Sequence, residues 1–235
     1  GIDSSLITAI AAGAVDDPLN AFTIGFDEAA QFDEVPYARL VAEQFGCDWR
    51  VKHVRAADFR RQLDDMACYF DEPYCNFAMF PMRQLAQMAR SELVVVLSGQ
   101  GGDELSAGYP GRYGWAVPPV DGGAAQDASF FVDDVAQHLH HTSILGWAGA
   151  RGQMYSRGMT DAVRAAGTPV TGMRDYWRRH GQLDRLNNAL YVDVKTNLPD
   201  YLVCVEERMS MAASLEARNP MLDHRLVNFM LSLPA

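Results

Sequence analysis

Leu93-Val94-Val95-Val96-Leu97-Ser98-Gly99-Gln100-Gly101-Gly102-Asp103-Glu104-Leu105 is the stretch from which the fold can be read. Five apolar residues in succession, Leu93 to Leu97, suit a strand buried on both faces, as in a parallel sheet. The strand empties into Ser98–Gly102, where small residues let the backbone approach a ligand and turn N–H groups toward an anion. Asp103 and Glu104 follow at once. The segment therefore predicts a site for a phosphate and a hard metal ion.

A second loop of this kind opens the chain. Gly1-Ile2-Asp3-Ser4-Ser5 leads into Leu6, Ile7, Ile10 and Ala11, the apolar stripe of a helix. Ser4 and Ser5 fall in its first turn, where hydroxyls and free N–H groups suit phosphate, and Asp3 lies at the same junction. Further on, Ala21–Phe26 and Trp49–Val54 read as strands. Helices are expected from Asp33 to about Phe45, with Pro36 in the first turn and Gly46 at the end, from Asp58 along the face Phe59, Leu63, Met66 and Phe70, and around Phe80–Arg90. Strands alternating with helices predict an α/β fold with a doubly wound parallel sheet, its ligands beyond the carboxyl ends of the strands. Residues 1–113 read as an α/β nucleotide-binding core and 114–235 as a mainly helical part. Val117–Gly123 reads as a loop, and helices are expected at Phe130–Tyr155, Thr171–His180, Arg185–Leu190, Pro199–Ala213 and His224–Leu231.

With 235 residues, 49% of them apolar, the chain can bury a sizeable core. Its net charge of −10 argues against a nucleic-acid partner. Cys47, Cys68, Cys75 and Cys204 form no CxxC pair and read as reduced, partly buried thiols of a cytoplasmic protein. No apolar run approaches the ~20 residues of a membrane span. His138, His140 and His141 lack a completing ligand, and their spacing scatters the rings around a helix, so a solvated face is expected in place of a zinc site.

Gly1–Ser5 resembles the tail of the Ser-Gly-Gly-x-Asp-Ser pyrophosphate loop of N-type ATP pyrophosphatases. Ser98-Gly-Gln-Gly-Gly-Asp-Glu-Leu-Ser-Ala-Gly-Tyr109 resembles the second signature of the glutamine-hydrolysing asparagine synthetases. Glu207-Arg-Met-Ser-Met-Ala-Ala-Ser-Leu-Glu-Ala-Arg-Asn-Pro-Met-Leu-Asp-His224 matches a third signature of that family's synthetase domain. The resemblance implies an adenine nucleotide α-hydrolase-like fold over residues 1–235. It also implies that a buried strand and Ser-Gly precede the loop at Gly1, with a glutaminase domain before them. The chain is thus expected to be a fragment without that domain.

What the resemblance implies chemically is formation of an amide from aspartate, ATP and glutamine-derived ammonia through an aspartyl-adenylate, with AMP and pyrophosphate released. Gly1, Asp3, Ser4, Ser5, Ser98 and Gly99 would bind ATP, and Ile24 with Gly25 would lie against adenine. Asp3 and Asp103 would hold Mg²⁺ on the pyrophosphate, in keeping with its preference for a few carboxylates plus substrate oxygens. Arg208 would stabilise charge on the departing pyrophosphate; its bland alternative is an ion pair with a neighbour such as Glu206. Glu216, Arg218 and Asp223 fit amino-acid binding or, with more weight, a buried structural ion network. Asp71-Glu72-Pro73 belongs to the pattern without an assigned role. A homodimer is a further expectation.

Two departures matter. Gln100 stands where many asparagine synthetases carry the Glu proposed to take the proton of attacking ammonia; an amide cannot accept a proton at neutral pH. Ser106 replaces the usual Phe. Gln100 keeps open a related amide-forming ligase of the β-lactam synthetase or lasso-peptide cyclase type, and an inactive nucleotide-binding domain. A tRNA-thiolating pyrophosphatase would need a basic face and a reactive cysteine pair, which the composition does not supply.

Overall fold

A computed structural model describes residues 1–28, 33–71, 74, 76–117, 134–141, 155–166, 170–179 and 183–234. In chain order its elements are α1 (Ile2–Ala12), β1 (Asn20–Phe26), α2 (Val35–Gln44), β2 (Asp48–Val54), α3 (Ala56–Ala67), α4 (Met79–Arg90), β3 (Val95–Leu97), α5 (Gly102–Ser106), α6 (Pro110–Tyr113), α7 (Asp134–His141), α8 (Arg157–Ala166), α9 (Val170–Arg179), α10 (Arg185–Lys195), a π-helix (Leu198–Val203), α11 (Cys204–Met211), β4 (Glu216–Arg218), a 3₁₀ turn (Pro220–Leu222) and α12 (His224–Met230). They form two compact bodies, Gly1–Gly102 with Pro199–Asp223 and Asp103–Leu198 with His224–Ala235. The loop expected at Val117–Gly123 and most of the helix expected at Phe130–Tyr155 lie outside the described residues, as do Glu72, Pro73 and Cys75.

In the first body the helix boundaries follow local chemistry. Pro36 sits in the first turn of α2, and Gly46 adopts φ +63° just past its end. α3 begins two residues ahead of Asp58, because the Asp58 carboxylate accepts from the Arg55 backbone N–H at 3.2 Å and so acts from inside the first turn. Val54, Met66, Met79, Phe80, Val205 and Met209 form the main core, with Phe26 and Phe59 packed on it. A second cluster joins Ala86, Ala89 and Leu215 to Phe22 and Val96.

β1 runs parallel to β2 in register from Asn20–Asp48 to Phe26–Val54, and β3 parallel to β4 from Val95–Glu216 to Leu97–Arg218. The parallel α/β reading holds in this form. A doubly wound sheet is not seen as one ladder: among the described residues the two pairs share none. β1 and β3 both line a slot of about 570 Å³, walled by Phe22, Ile24, Val95 and Leu97 and by Ile7 and Ala11 of α1. The Leu93–Leu97 run is not buried on both faces: Val94 is 61% exposed and Leu97 51%. α1, with its inner face over the slot, buries no residue, and Ile2, Leu6 and Ile10 lie in solvent.

The second body is helical. Tyr113, Trp115, Ala116, Ala189 and Leu190 form its core, with Trp177 and Leu231 against it. At its centre the fully buried Asp193 accepts from Arg112 Nε at 2.6 Å, Arg112 Nη2 at 2.7 Å and the Tyr113 hydroxyl at 2.6 Å, and pairs with His138 Nε2 at 2.9 Å. Burial alone would raise the Asp193 carboxyl; the donors and charges of Arg112 and His138 outweigh it and hold the group at about 2. His138 is therefore not on a solvated face, contrary to the sequence expectation, because Asp193 draws it inward. The side chains of His140 and His141 lie outside the described residues.

Candidate active site

The two glycine-bearing loops meet inside the first body. A Cβ placed on Gly99 would stand 2.7 Å from the backbone nitrogen of Ser4, so only glycine lets the loop after β3 touch the first turn of α1. A Cβ on Gly102 would fall 2.3 Å from the Asp3 carboxyl carbon and 2.5 and 2.7 Å from its oxygens. Gly101, at φ +93°, requires the left-handed conformation and packs on Leu222. Ser98 donates its backbone N–H to the Arg218 carbonyl at 2.9 Å, and its hydroxyl accepts from the Gln100 N–H at 3.3 Å. Ser4 and Ser5 donate their hydroxyls to the Gly1 carbonyl at 3.1 and 2.9 Å. Gly1, Ser4, Ser5, Ile24, Ser98 and Gly99 all line the slot.

Other anticipated residues sit elsewhere. Gly25 is buried under its own neighbours: a Cβ there would meet the His53 ring at 2.2 Å and Val35 at 2.9 Å. Arg208 does not pair with Glu206. Its guanidinium donates to the Tyr69 carbonyl at 2.8 Å and to Asp71 at 2.7 Å and lies 5.8 Å from the Phe70 ring. Phe70 stacks on Tyr74 at 4.6 Å, and the Tyr74 hydroxyl donates to the Tyr201 carbonyl at 2.7 Å. Glu216 and Arg218 pair at 2.7 Å, but on exposed side chains of β4, so the buried ion network expected for them is not formed. Asp103 opens the second body, where the Gly108 N–H donates to its carbonyl at 2.9 Å and its carboxylate packs on Gly108. Beside it Glu104 is buried, with Oε1 unpaired among the described residues, and burial pushes its carboxyl above the ordinary range.

Sequence reasoning missed one slot residue of consequence. Glu206, 8% exposed, accepts from Asn219 Nδ2 at 2.8 Å and lines the slot together with Ser98 and Gly99. It passed as a helix-surface charge because the pairing with Asn219, thirteen positions on, leaves no periodic trace. Among the described residues no three His, Cys, Asp or Glu side chains gather as a metal site. A Mg²⁺ ion, which draws on one or two carboxylates and completes its shell with substrate oxygens and water, fits such a sparse donor set, and Asp3 beside the glycine loop is of the right type.

The chain is similar in sequence to known proteins. An asparagine synthetase (glutamine-hydrolyzing) 1 of Bacillus subtilis is 26% identical over all of this chain and 39% of its own length. A protein assigned as asparagine synthetase (glutamine-hydrolyzing) 2 in Methanocaldococcus jannaschii is 34% identical over 46% of this chain and 21% of its own length. An amidase of Penicillium rubens, chyE, is 22% identical over all of this chain and 42% of its own length. The chain thus spans about two fifths of the length of the relatives it matches throughout. Because the family described as asparagine synthase also matches residues 1–235, the chain belongs to the asparagine synthase family.

Proposed function

We propose that the chain carries the amide-forming half of a glutamine-dependent asparagine synthetase: aspartate attacks the α-phosphate of ATP, and ammonia then displaces AMP from the aspartyl-adenylate. What supports this reading above all is the approach of Gly99 to Ser4, which joins the two loops that the family resemblance assigns to the nucleotide. The N–H groups at the start of α1 and in the Ser98–Gly102 loop would hold the phosphates, where the positive end of a helix and a glycine-rich turn favour negative charge. Asp3, and Asp103 by resemblance, would bind Mg²⁺, which when present neutralises charge on the leaving pyrophosphate. Gln100 would orient substrate without accepting a proton. Arg208 would act on the pyrophosphate only after giving up Asp71 and the Tyr69 carbonyl.

A second reading activates a different carboxylate on the same fold. Gln100 and the resemblance to a protein named as an amidase favour it. Pyrophosphate exchange into ATP, measured over a panel of carboxylic acids, separates the two. Exchange dependent on aspartate supports the first, exchange with another acid the second, and none with any acid rejects both. In the active protein Asp3→Asn should lower exchange by roughly 100-fold or more.

A further inference from the structure

The carboxylate of Glu206 poses a problem in electrostatics. It is nearly buried, yet among the described residues no Lys, Arg or His pairs with it, and its hydrogen-bond partner there is the neutral amide of Asn219. A buried charge without a counter-charge is costly, and such groups persist where a ligand supplies what the fold withholds. The partner is itself incomplete, since Asn219 Oδ1 is buried and unbonded among the described residues. Two acceptors therefore stand together with one donor between them, and what they lack is N–H.

Their place in the fold is specific. Asn219 directly follows β4, whose last residue, Arg218, takes the N–H of Ser98. Glu206 thus lies at the carboxyl end of the β3–β4 pair, on the same slot as Ser98, Gly99 and Ser4. The loop at that end carries Gln100, whose amide cannot take up a proton. The amide-forming step must release one.

We propose that Glu206 is the amine-receiving catalytic residue, an inference that rests on the amide-forming reading above. The incoming ammonia, or another small primary amine, donates N–H to the Glu206 carboxylate. Its nitrogen forms the bond to the acyl carbon, and the bond from that carbon to the AMP phosphate oxygen breaks, its electron pair leaving with AMP. The proton left on nitrogen passes to Glu206. Asn219 holds the carboxylate in place.

The two half-reactions test this in the full chain. In Glu206→Gln, an isosteric change that keeps an acceptor for Asn219, pyrophosphate exchange should stay within about threefold of the parent. Amide formation from ammonium chloride should fall about 100-fold or more. Glu206→Asp should recover part of that loss. Equal loss in both half-reactions, or loss in neither, overturns the assignment. If the parent exchanges pyrophosphate with no acid, the reading of the overall reaction fails, and titration with methylammonium followed by NMR still decides Glu206. Shifts of slot residues that vanish in Glu206→Gln support an amine site; no shift, or the same shift in both proteins, removes it.

Discussion

Asp193 shows how much one side chain can organise. It accepts from three residues on α6 and α7 while fully excluded from water, so its loss would strand the Arg112 guanidinium in the interior. Asp193→Asn is expected to destabilise the second body by about 3–5 kcal/mol, read from the midpoint of urea unfolding. The pH dependence follows from the same group. Its carboxyl is held at about 2 against an ordinary 3.8, so its contribution is complete above about pH 4 and is lost as pH falls toward about 2. That window is worth about 2 kcal/mol. Glu104 acts with the opposite sign: its raised carboxyl is most favourable when protonated and costs stability as pH rises past its shifted value. Thermal unfolding across pH should therefore show Glu104→Gln more stable than the parent at neutral pH, with the gap closing in acid; a gap that widens in acid would contradict this. None of this was legible in the residues alone. Arg112, His138 and Asp193 lie as far as 81 positions apart, and no local pattern marks a carboxylate as their common acceptor.

Elements were read with more success where period and punctuation agree. β1, β2, α2 and α4 fall close to their expected places because alternation, Pro36 and Gly46 are local signals. β4 escaped notice: Glu-Ala-Arg is too short to show a period and is a strand only because β3 offers it a ladder. The π-helix at Leu198–Val203 escaped for a similar reason. Its widened turn frees carbonyls that Tyr74, more than 120 positions away, caps with its hydroxyl. Tyr74→Phe should cost about 1 kcal/mol and speed amide exchange in this turn while leaving α4 unaffected. Removing the inner half of the α3 cap with Asp58→Ala should also cost about 1 kcal/mol, visible as faster exchange in the first turn of α3.

At the scale of the molecule, the glycines of the Ser98–Gly102 loop announced a tight turn, and the structure adds the reason for two of them, contact with Ser4 and with Asp3. The sheet was harder to foresee, since a run such as Leu93–Leu97 says that a strand wants cover and not which neighbours provide it. Here the two parallel pairs stop short of each other across the slot. Among the described residues no ladder joins the two sides of that gap, and apolar side chains flank it, a pairing that invites adhesion. Hydrogen exchange should find the gap-facing amides of Phe22–Ile24 and Val95–Leu97 less protected than those bonded to β2 and β4. Light scattering should show the isolated chain growing into larger species as concentration rises, and a Lys in place of Val95 should suppress that growth. A polypeptide left with such a seam open is sticky along it until something extended lies down inside.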